Sequence, residues 1–307
     1  MKFGKGVVGA LSSALLAIPA IPATIPDAAA VPSKIVVTAR WTAPNSRPLE
    51  IGDLKVAKGS TSLEVLRLER LPGDLSDVQL LILLDDSTRS ASLGIQVPEL
   101  KTLLNSLPAT AQAGVGYMRN GTVNMSQGFT TDHEKAARAL RLPQSMPGEN
   151  GSPYFALSDL VRHWPSKEPT ARRAVLMMTD GVDRYWASNV MDDPYVENAM
   201  RDAIQNGVMV YSIYVRGAGR YGLGGWAVNT AQSRLSELSE QTGGWAYFEG
   251  TMDPVNISPF LSDFRDRLDH QYEVTIAAPR AKGIQAVKIW TDAPGLKVQA
   301  PSYISTR

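Results

Sequence analysis

Between positions 79 and 90 the chain reads Gln-Leu-Leu-Ile-Leu-Leu-Asp-Asp-Ser-Thr-Arg-Ser. Five large aliphatic residues, Leu80 to Leu84, run without a polar break into two aspartates. A run this short offers no polar face to solvent, so it fits a strand buried on both sides, as in a parallel sheet covered by helices. The carboxylates and hydroxyls after it fall where the strand ends. In open α/β sheets that carboxyl edge is where ligands bind.

The same pattern recurs downstream. Ala174-Val175-Leu176-Met177-Met178 is a second apolar run and also ends in an aspartate, Thr179-Asp180-Gly181. Val208 to Val215 reads as a third strand, and Trp245-Ala246-Tyr247-Phe248 as a last one. Helical stretches separate them: Val97–Leu107, a helix capped near Thr131–Glu134 and running to Leu140, Ser152-Pro153 to His163, Asp193-Pro194 to Gln205, and Thr230 to Gln241. A closing helix carries Phe260, Leu261, Phe264 and Leu268 on one face. Arg119-Asn120-Gly121 predicts a hairpin turn between Ala113–Met118 and Val123–Met125. The expected fold is α/β, a doubly wound, mostly parallel sheet with helices on both faces over residues 77–270.

Both ends read differently. Lys34–Ala39, Leu54–Val56 and Leu63–Leu68 favour strands within 31–76. Tyr272–Ala277 and Ala286–Trp290 alternate with period two within 271–307, around a turn at Lys282-Gly283. A small β appendage built from the two ends is expected.

Lys2 and Lys5 precede an apolar run from Val7 to Ala20, followed by Ala28-Ala29-Ala30, the pattern of a secretory signal peptide over residues 1–30. Pro19 and Pro22 cut the run below the roughly 20 residues of a spanning helix. An extracytoplasmic mature chain, secreted or periplasmic, with no membrane span is expected. Lys and Arg number 31 against 30 Asp and Glu, so no basic field points to nucleic acid. The absence of cysteine excludes disulfides, thiolate metal sites and a lipid-modified cysteine. His133, His163 and His270 follow no metal-ligand spacing. No G-x-S-x-G, H-E-x-x-H or P-loop is present, so an enzyme is not expected. Gly217-Ala218-Gly219-Arg220-Tyr221-Gly222 matches G-x-G-x-x-G, but Leu223 to Asn229 intervene before a helix, so no nucleotide is expected.

Parallel strands place Asp85, Ser87, Thr179 and Asp180 at one edge, and Ser152 at a helix start after a Pro/Gly loop. Carboxylates and small hydroxyls suit hard cations such as Mg²⁺ or Mn²⁺. With Leu-Leu-Asp-Asp-Ser, Asn-Gly-Ser-Pro-Tyr at 150–154 and Met-Thr-Asp-Gly-Val-Asp at 178–183, the chain resembles a von Willebrand factor type A domain of the bacterial group whose first strand ends in Asp-Asp-Ser. The resemblance implies a metal-ion-dependent adhesion site working in protein–protein contacts. Its Asp-x-Ser-x-Ser motif falls on Asp85, Ser87 and Arg89, its threonine on Ser152 and its later aspartate on Asp180. Arg89 departs from the pattern. Either it points away while Asp85, Ser87, Ser152 and Asp180 hold the metal, or its guanidinium pairs with Asp85 or Asp180 and replaces the cation. Asp86, Thr179, Asp183, Tyr185, Trp186, Arg220 and Trp226 are candidates for touching a partner that presents an acidic group. The implied function is a non-catalytic protein-binding module; a structural or assembly protein with a metal-free, vestigial site is the alternative.

Overall fold

The computed structural model describes residues 30–42, 47–88, 90–144, 151–168, 172–186, 192–217 and 224–306. The leader through residue 29, Arg89, the loop at 146–150 and Arg220 lie outside the described residues. Ala30 is the first residue of the first strand.

In chain order the strands are β1 (Ala30–Trp41), β2 (Lys55–Lys58), β3 (Thr61–Leu63), β4 (Val65–Arg70), β5 (Val78–Asp85), β6 (Gln112–Arg119), β7 (Thr122–Thr130), β8 (Arg172–Thr179), β9 (Val208–Tyr214), β10 (Ala246–Tyr247), β11 (Gln271–Pro279), β12 (Ile284–Ala286), β13 (Lys288–Trp290), β14 (Leu296–Gln299) and β15 (Tyr303–Ser305). The helices are α1 (Ser90–Asn105), α2 (His133–Arg138), α3 (Pro153–Arg162), α4 (Pro194–Gln205), α5 (Gly225–Gln241) and α6 (Ser258–Asp269).

A six-stranded sheet of order β10-β9-β8-β5-β6-β7 forms the centre. All its neighbours are parallel except β6 and β7, which form the hairpin across Asn120-Gly121. The continuous apolar run of β5 is explained by two cores. Leu80, Ile82 and Leu84 pack with residues of α1, α2 and α6 on one face. Leu81 and Leu83 pack with residues of α3, α4 and α5 on the other. Burying one such side chain is worth about 1.5–3 kcal/mol, so a polar residue anywhere in the run is costly.

Several boundaries shift from the sequence reading. α1 begins seven residues before Val97 and carries Pro98 inside it. α2 is capped by Asp132, whose side chain accepts from the Lys135 amide, and not by Thr131. The alternating stretch Ala286–Trp290 is not one strand. β12 pairs with β15 and β13 with β2, with Val287 buried between them.

The strands from the two ends of the chain pair in a four-stranded antiparallel sheet, β14-β1-β11-β4. It packs its own core, including Val37, Val274 and Ile276. An ionic clip joins this sheet to α6. Arg40 of β1 donates to Asp263 and Asp266 at 2.7 Å each, and Asp263 also accepts from Arg267 (2.6 Å) and the Tyr247 hydroxyl (2.9 Å).

Candidate functional site: the carboxyl edge of the sheet

Register brings three strand ends to one level. Leu84 lies beside Met178, so Asp85 and Thr179 leave β5 and β8 together. Thr179 in turn lies beside Tyr214, the last residue of β9, and Arg216 and Gly217 follow directly.

Asp85 is buried, and its oxygens are spoken for. Oδ1 accepts from the Ser87 amide at 2.9 Å and the Ser87 hydroxyl at 2.7 Å. Oδ2 accepts from the Thr179 hydroxyl at 2.9 Å. Burial, and next the charge of Asp180, push the Asp85 carboxyl above its ordinary range; the Ser87 bonds and the Arg184 charge oppose the shift.

Asp180 sits across from it with a cation already in hand. Its Oδ2 accepts from Arg184 Nη2 at 2.7 Å, with the two side chains 13% and 3% exposed. Oδ1 accepts from the Val182 amide at 2.9 Å. The Arg184 backbone is anchored to the start of α3, its amide donating to the Gly151 carbonyl at 2.7 Å. Burial works against the Arg184 charge, but Asp180, then Asp85 and Asp183, outweigh it and hold the guanidinium above its ordinary value. Gly217 closes the far side: a Cβ there would lie 2.0 Å from Asp180 Oδ2, so only glycine fits. That close approach, and not a dinucleotide fingerprint, accounts for the first glycine of the G-x-G-x-x-G match.

Ser152 turns to different work. Its hydroxyl donates to Asp183 Oδ2 at 2.5 Å and accepts from the Phe155 amide at 3.1 Å, capping α3. Asp183 Oδ1 accepts from the amides of Tyr185 (2.7 Å) and Trp186 (3.1 Å). Burial first, with a smaller contribution from Asp193, raises the Asp183 carboxyl against these three hydrogen bonds. Asp183 therefore fixes the turn that presents Tyr185, 49% exposed, and Trp186 at the surface. Tyr185 makes edge-on ring contacts with Phe155 and Tyr195.

Asp86 points away from Asp85. It accepts from Arg141 Nη1 at 2.6 Å and the Gln144 amide at 3.0 Å, while the Arg141 guanidinium lies 3.8 Å from the centre of the Tyr117 ring. Asp86 is thus a buried tie beneath α1 and α2, and the expectation that it touches a partner is corrected. Thr179, fully buried on Asp85, is likewise removed from contact with a partner. Asp183, also buried, positions residues for contact without being exposed itself. Trp226, at the start of α5 on the same edge, is 50% exposed.

Two further arginines stand at this edge among the described residues. Arg184 makes the Asp180 pair foreseen for Arg89. Its position four residues after Asp180, beyond a Gly181 turn, was the available signal. The other is Arg216 at the end of β9. Its Nη1 faces Met252 Sδ at 3.4 Å, its Nε is buried without an acceptor, and no carboxylate lies within ion-pair reach among the described residues. Its own amide donates to Asp253 at 2.5 Å.

As arranged, this donor set does not fit a divalent ion. Ser87 donates to Asp85, Ser152 is committed to Asp183 and the α3 cap, and a guanidinium holds the Asp180 oxygen that a metal needs. No group of three or more His, Asp or Glu suited to a metal occurs among the described residues.

No family model matches the chain. No curated protein matches it either. Similar solved structures include an aerotolerance-related membrane protein from Bacteroides fragilis (13% identity, 62% of this chain and 98% of that one, TM-score 0.45) and the conserved hypothetical protein BatB from Bacteroides thetaiotaomicron (14%, 62% and 97%, 0.45). Proximal thread matrix protein 1 of the mussel byssus, described with a zinc-occupied metal-ion-dependent adhesion motif, is similar at 12% identity over 69% of this chain and 50% of that one, with a TM-score of 0.49. In this chain the α/β domain is a mostly parallel sheet with Asp85 and Asp180 closing two neighbouring strands at one edge.

Proposed function

We propose that the chain is a non-catalytic, extracytoplasmic protein-binding module that meets its partner through the carboxyl edge of the six-stranded sheet. The partner's acidic group is received by Arg216 in place of a divalent metal. The observation that carries this reading is the contrast between two guanidinium groups at the edge. Arg184 is consumed by Asp180, whereas Arg216 is partly buried with no carboxylate partner among the described residues. A guanidinium without a carboxylate partner gains from an incoming carboxylate, which its planar donor fork matches. Tyr185, Trp186 and Trp226, exposed on the same edge, are of the types that anchor interfaces. No helix among the described residues is long and apolar enough to cross a membrane.

The test is affinity capture from an extracytoplasmic extract with the immobilised chain, read by quantitative mass spectrometry. A protein captured by the wild type should be lost with Arg216→Glu and Trp186→Ala. It should be retained by Lys282→Glu, at the turn after β11, and should stay bound in EDTA. Retention by Arg216→Glu refutes the assignment of the acid-binding residue. Release by EDTA refutes the metal-free mode.

The fully paired Asp85–Asp180–Arg184 centre also suits the alternative of a structural or assembly protein whose edge binds nothing. In that case both edge variants behave as the wild type, and only changes on the terminal sheet disturb assembly.

A further inference from the structure

A cavity of about 280 Å³ opens on the four-stranded sheet built from the two ends of the chain. Its walls include Trp41 of β1, Leu49, Leu68 and Arg70 of β4, and His270 and Tyr272 on either side of the first residue of β11. Register puts the strand residues on one face. Tyr272 lies directly opposite Arg70, and Val274 opposite Leu68. Directly opposed residues of an antiparallel pair point to the same side, and alternation keeps Leu68 with Arg70 there. Val37, opposite Tyr272 on β1, is buried on that side together with Val274. The cavity is therefore the open end of the terminal sheet's own core. Ligand pockets run from roughly 300 Å³ upward, so this one has room for a small molecule of about one ring.

The polar groups of the cavity are donors without acceptors. No Asp or Glu lines it. Tyr272 is 9% exposed, and its hydroxyl has no hydrogen-bond partner among the described residues. A hydroxyl drawn out of water in this way favours an incoming acceptor. Arg70, at the rim, has no carboxylate within ion-pair reach among the described residues. The two acidic groups in the neighbourhood are committed elsewhere. Asp53 holds Arg47, whose Nη1 donates to it at 2.6 Å while the guanidinium lies 5.3 Å from the centre of the Trp41 ring. Asp266 accepts from Arg40, which alternation turns to the other face of β1, at 2.7 Å. His270 is fixed by Nδ1 against the Asp266 carbonyl at 2.7 Å.

We infer that this cavity binds a small aromatic monocarboxylate, its carboxylate received by Arg70 and the Tyr272 hydroxyl and its ring laid among Trp41, Leu49 and Leu68. The division of labour follows from burial. Arg70 is exposed and supplies charge and a planar donor fork at the mouth. The buried Tyr272 hydroxyl fixes the carboxylate's position inside, where the contact is worth more than in water. A flat apolar body suits walls that combine an indole, a phenol ring and two leucines. A phosphate dianion suits it less, because a single guanidinium here is free of a carboxylate. The site belongs to the terminal sheet, and the inference stands whether or not the edge at Arg216 binds a protein.

The test is titration calorimetry on the full mature chain with 3-phenylpropionate, 3-phenylpropan-1-ol and propionate. Phenylpropionate should bind once per chain. Phenylpropanol, with the ring and no charge, and propionate, with the charge and no ring, should bind at least about tenfold more weakly. Arg70→Gln and Tyr272→Phe should each weaken phenylpropionate about tenfold, as expected for losing one charge-assisted contact. Arg67→Gln is the control: it removes the same charge from the same strand, but Arg67 lies on the other face, paired with Glu69, and binding should be unchanged. Tyr272→Phe keeps the ring and Arg70 makes no ion pair, so both variants should fold, as checked by circular dichroism. The inference is overturned if phenylpropionate gives no saturable binding, or if either control ligand binds as well as it does. It is also overturned if Arg70→Gln or Tyr272→Phe binds like the wild type, or if Arg67→Gln weakens binding as much as Arg70→Gln.

Discussion

Replacing Arg184 by methionine keeps most of the side chain's length and removes its charge. In the wild type the guanidinium holds Asp180 at 2.7 Å, with Asp180 3% exposed, and its charge also acts on buried Asp85. The variant leaves two buried carboxylates facing one another with no cation between them. Breaking a buried pair by removing one partner costs about 3–5 kcal/mol. A domain of this size loses about 2–4 °C of Tm per kcal/mol, so the fall should be on the order of 6–20 °C. The same variant opens a place for a divalent ion between Asp85 and Asp180. A cation bound to the native state at 100 times its Kd restores about 2.7 kcal/mol. The assay is thermal unfolding of wild type and Arg184→Met, with and without millimolar Mg²⁺ or Mn²⁺ and with EDTA. The wild type should be indifferent to metal, and the variant should be unstable and partly rescued. A wild-type Tm that rises with metal and falls with EDTA refutes the claim that the guanidinium occupies the cation's place. A variant that melts with the wild type refutes the claim that the pair is buried and uncompensated without it.

Other outcomes follow from the same geometry. Gly217→Ala should destabilise the edge by about 1–3 kcal/mol, since its Cβ would sit 2.0 Å from Asp180 Oδ2; unchanged unfolding in urea would show that the β9 end is not packed as described. Ile82→Ala, in the middle of β5, should cost about 2–5 kcal/mol by the same measurement. The Asp263 clip should be acid-sensitive. Burial opposes its charge, but hydrogen bonds from Arg267, Arg40 and Tyr247 together hold its carboxyl below the ordinary value. A depressed folded pKa gives stability that is fully present above the unfolded value, about 3.9, and is lost as pH falls through the folded one. The Tm difference between wild type and Asp263→Asn should therefore be largest near neutral pH and shrink below pH about 4; a difference that does not change with pH would sink this account.

What could be read from the sequence is what depends on local pattern. Leu80–Leu84 and Ala174–Met178 could be placed because a strand covered on both faces has no polar positions to confuse its period. The Asp residues after each run then fall at one edge by parallel register alone. What escaped depends on contacts between residues distant in sequence. Arg184 reaches Asp180 because its backbone is tied to Gly151, 33 positions earlier, and no periodicity encodes that tie. Ser152 carried a cap signal, Ser followed by Pro at the first helical position, and the structure shows that the capping hydroxyl also donates to Asp183, a tie no local pattern encodes. The alternating run at Ala286–Trp290 misled for a related reason. Period two describes each residue's face but not which partner strand it pairs with, and the partner changes at Val287.

The seven residues from Asp180 to Trp186 carry two tasks that cannot be separated. Asp180 and Arg184 seal the charge centre, while Asp183, between them, holds Ser152 through one oxygen and the amides of Tyr185 and Trp186 through the other. Displaying the aromatics therefore depends on the same short turn that neutralises Asp180. A metal at Asp180 would have to displace Arg184, and with it the turn bound to Gly151. The choice between an internal guanidinium and a bound ion is then also a choice of surface. On the proposed reading, arginine in place means that the aromatic rim is set by folding and presented independently of metal supply, with Arg216 a cation that has no carboxylate partner among the described residues. Asp183→Ala discriminates here. It should leave the Arg184–Asp180 pair in contact while freeing Tyr185 and Trp186 from their turn, so Trp186 fluorescence should shift to longer wavelength with the metal indifference of the wild type retained. Unaltered fluorescence would mean that the rim is held by ring contacts with Phe155 and Tyr195, and the link between charge centre and surface would be broken.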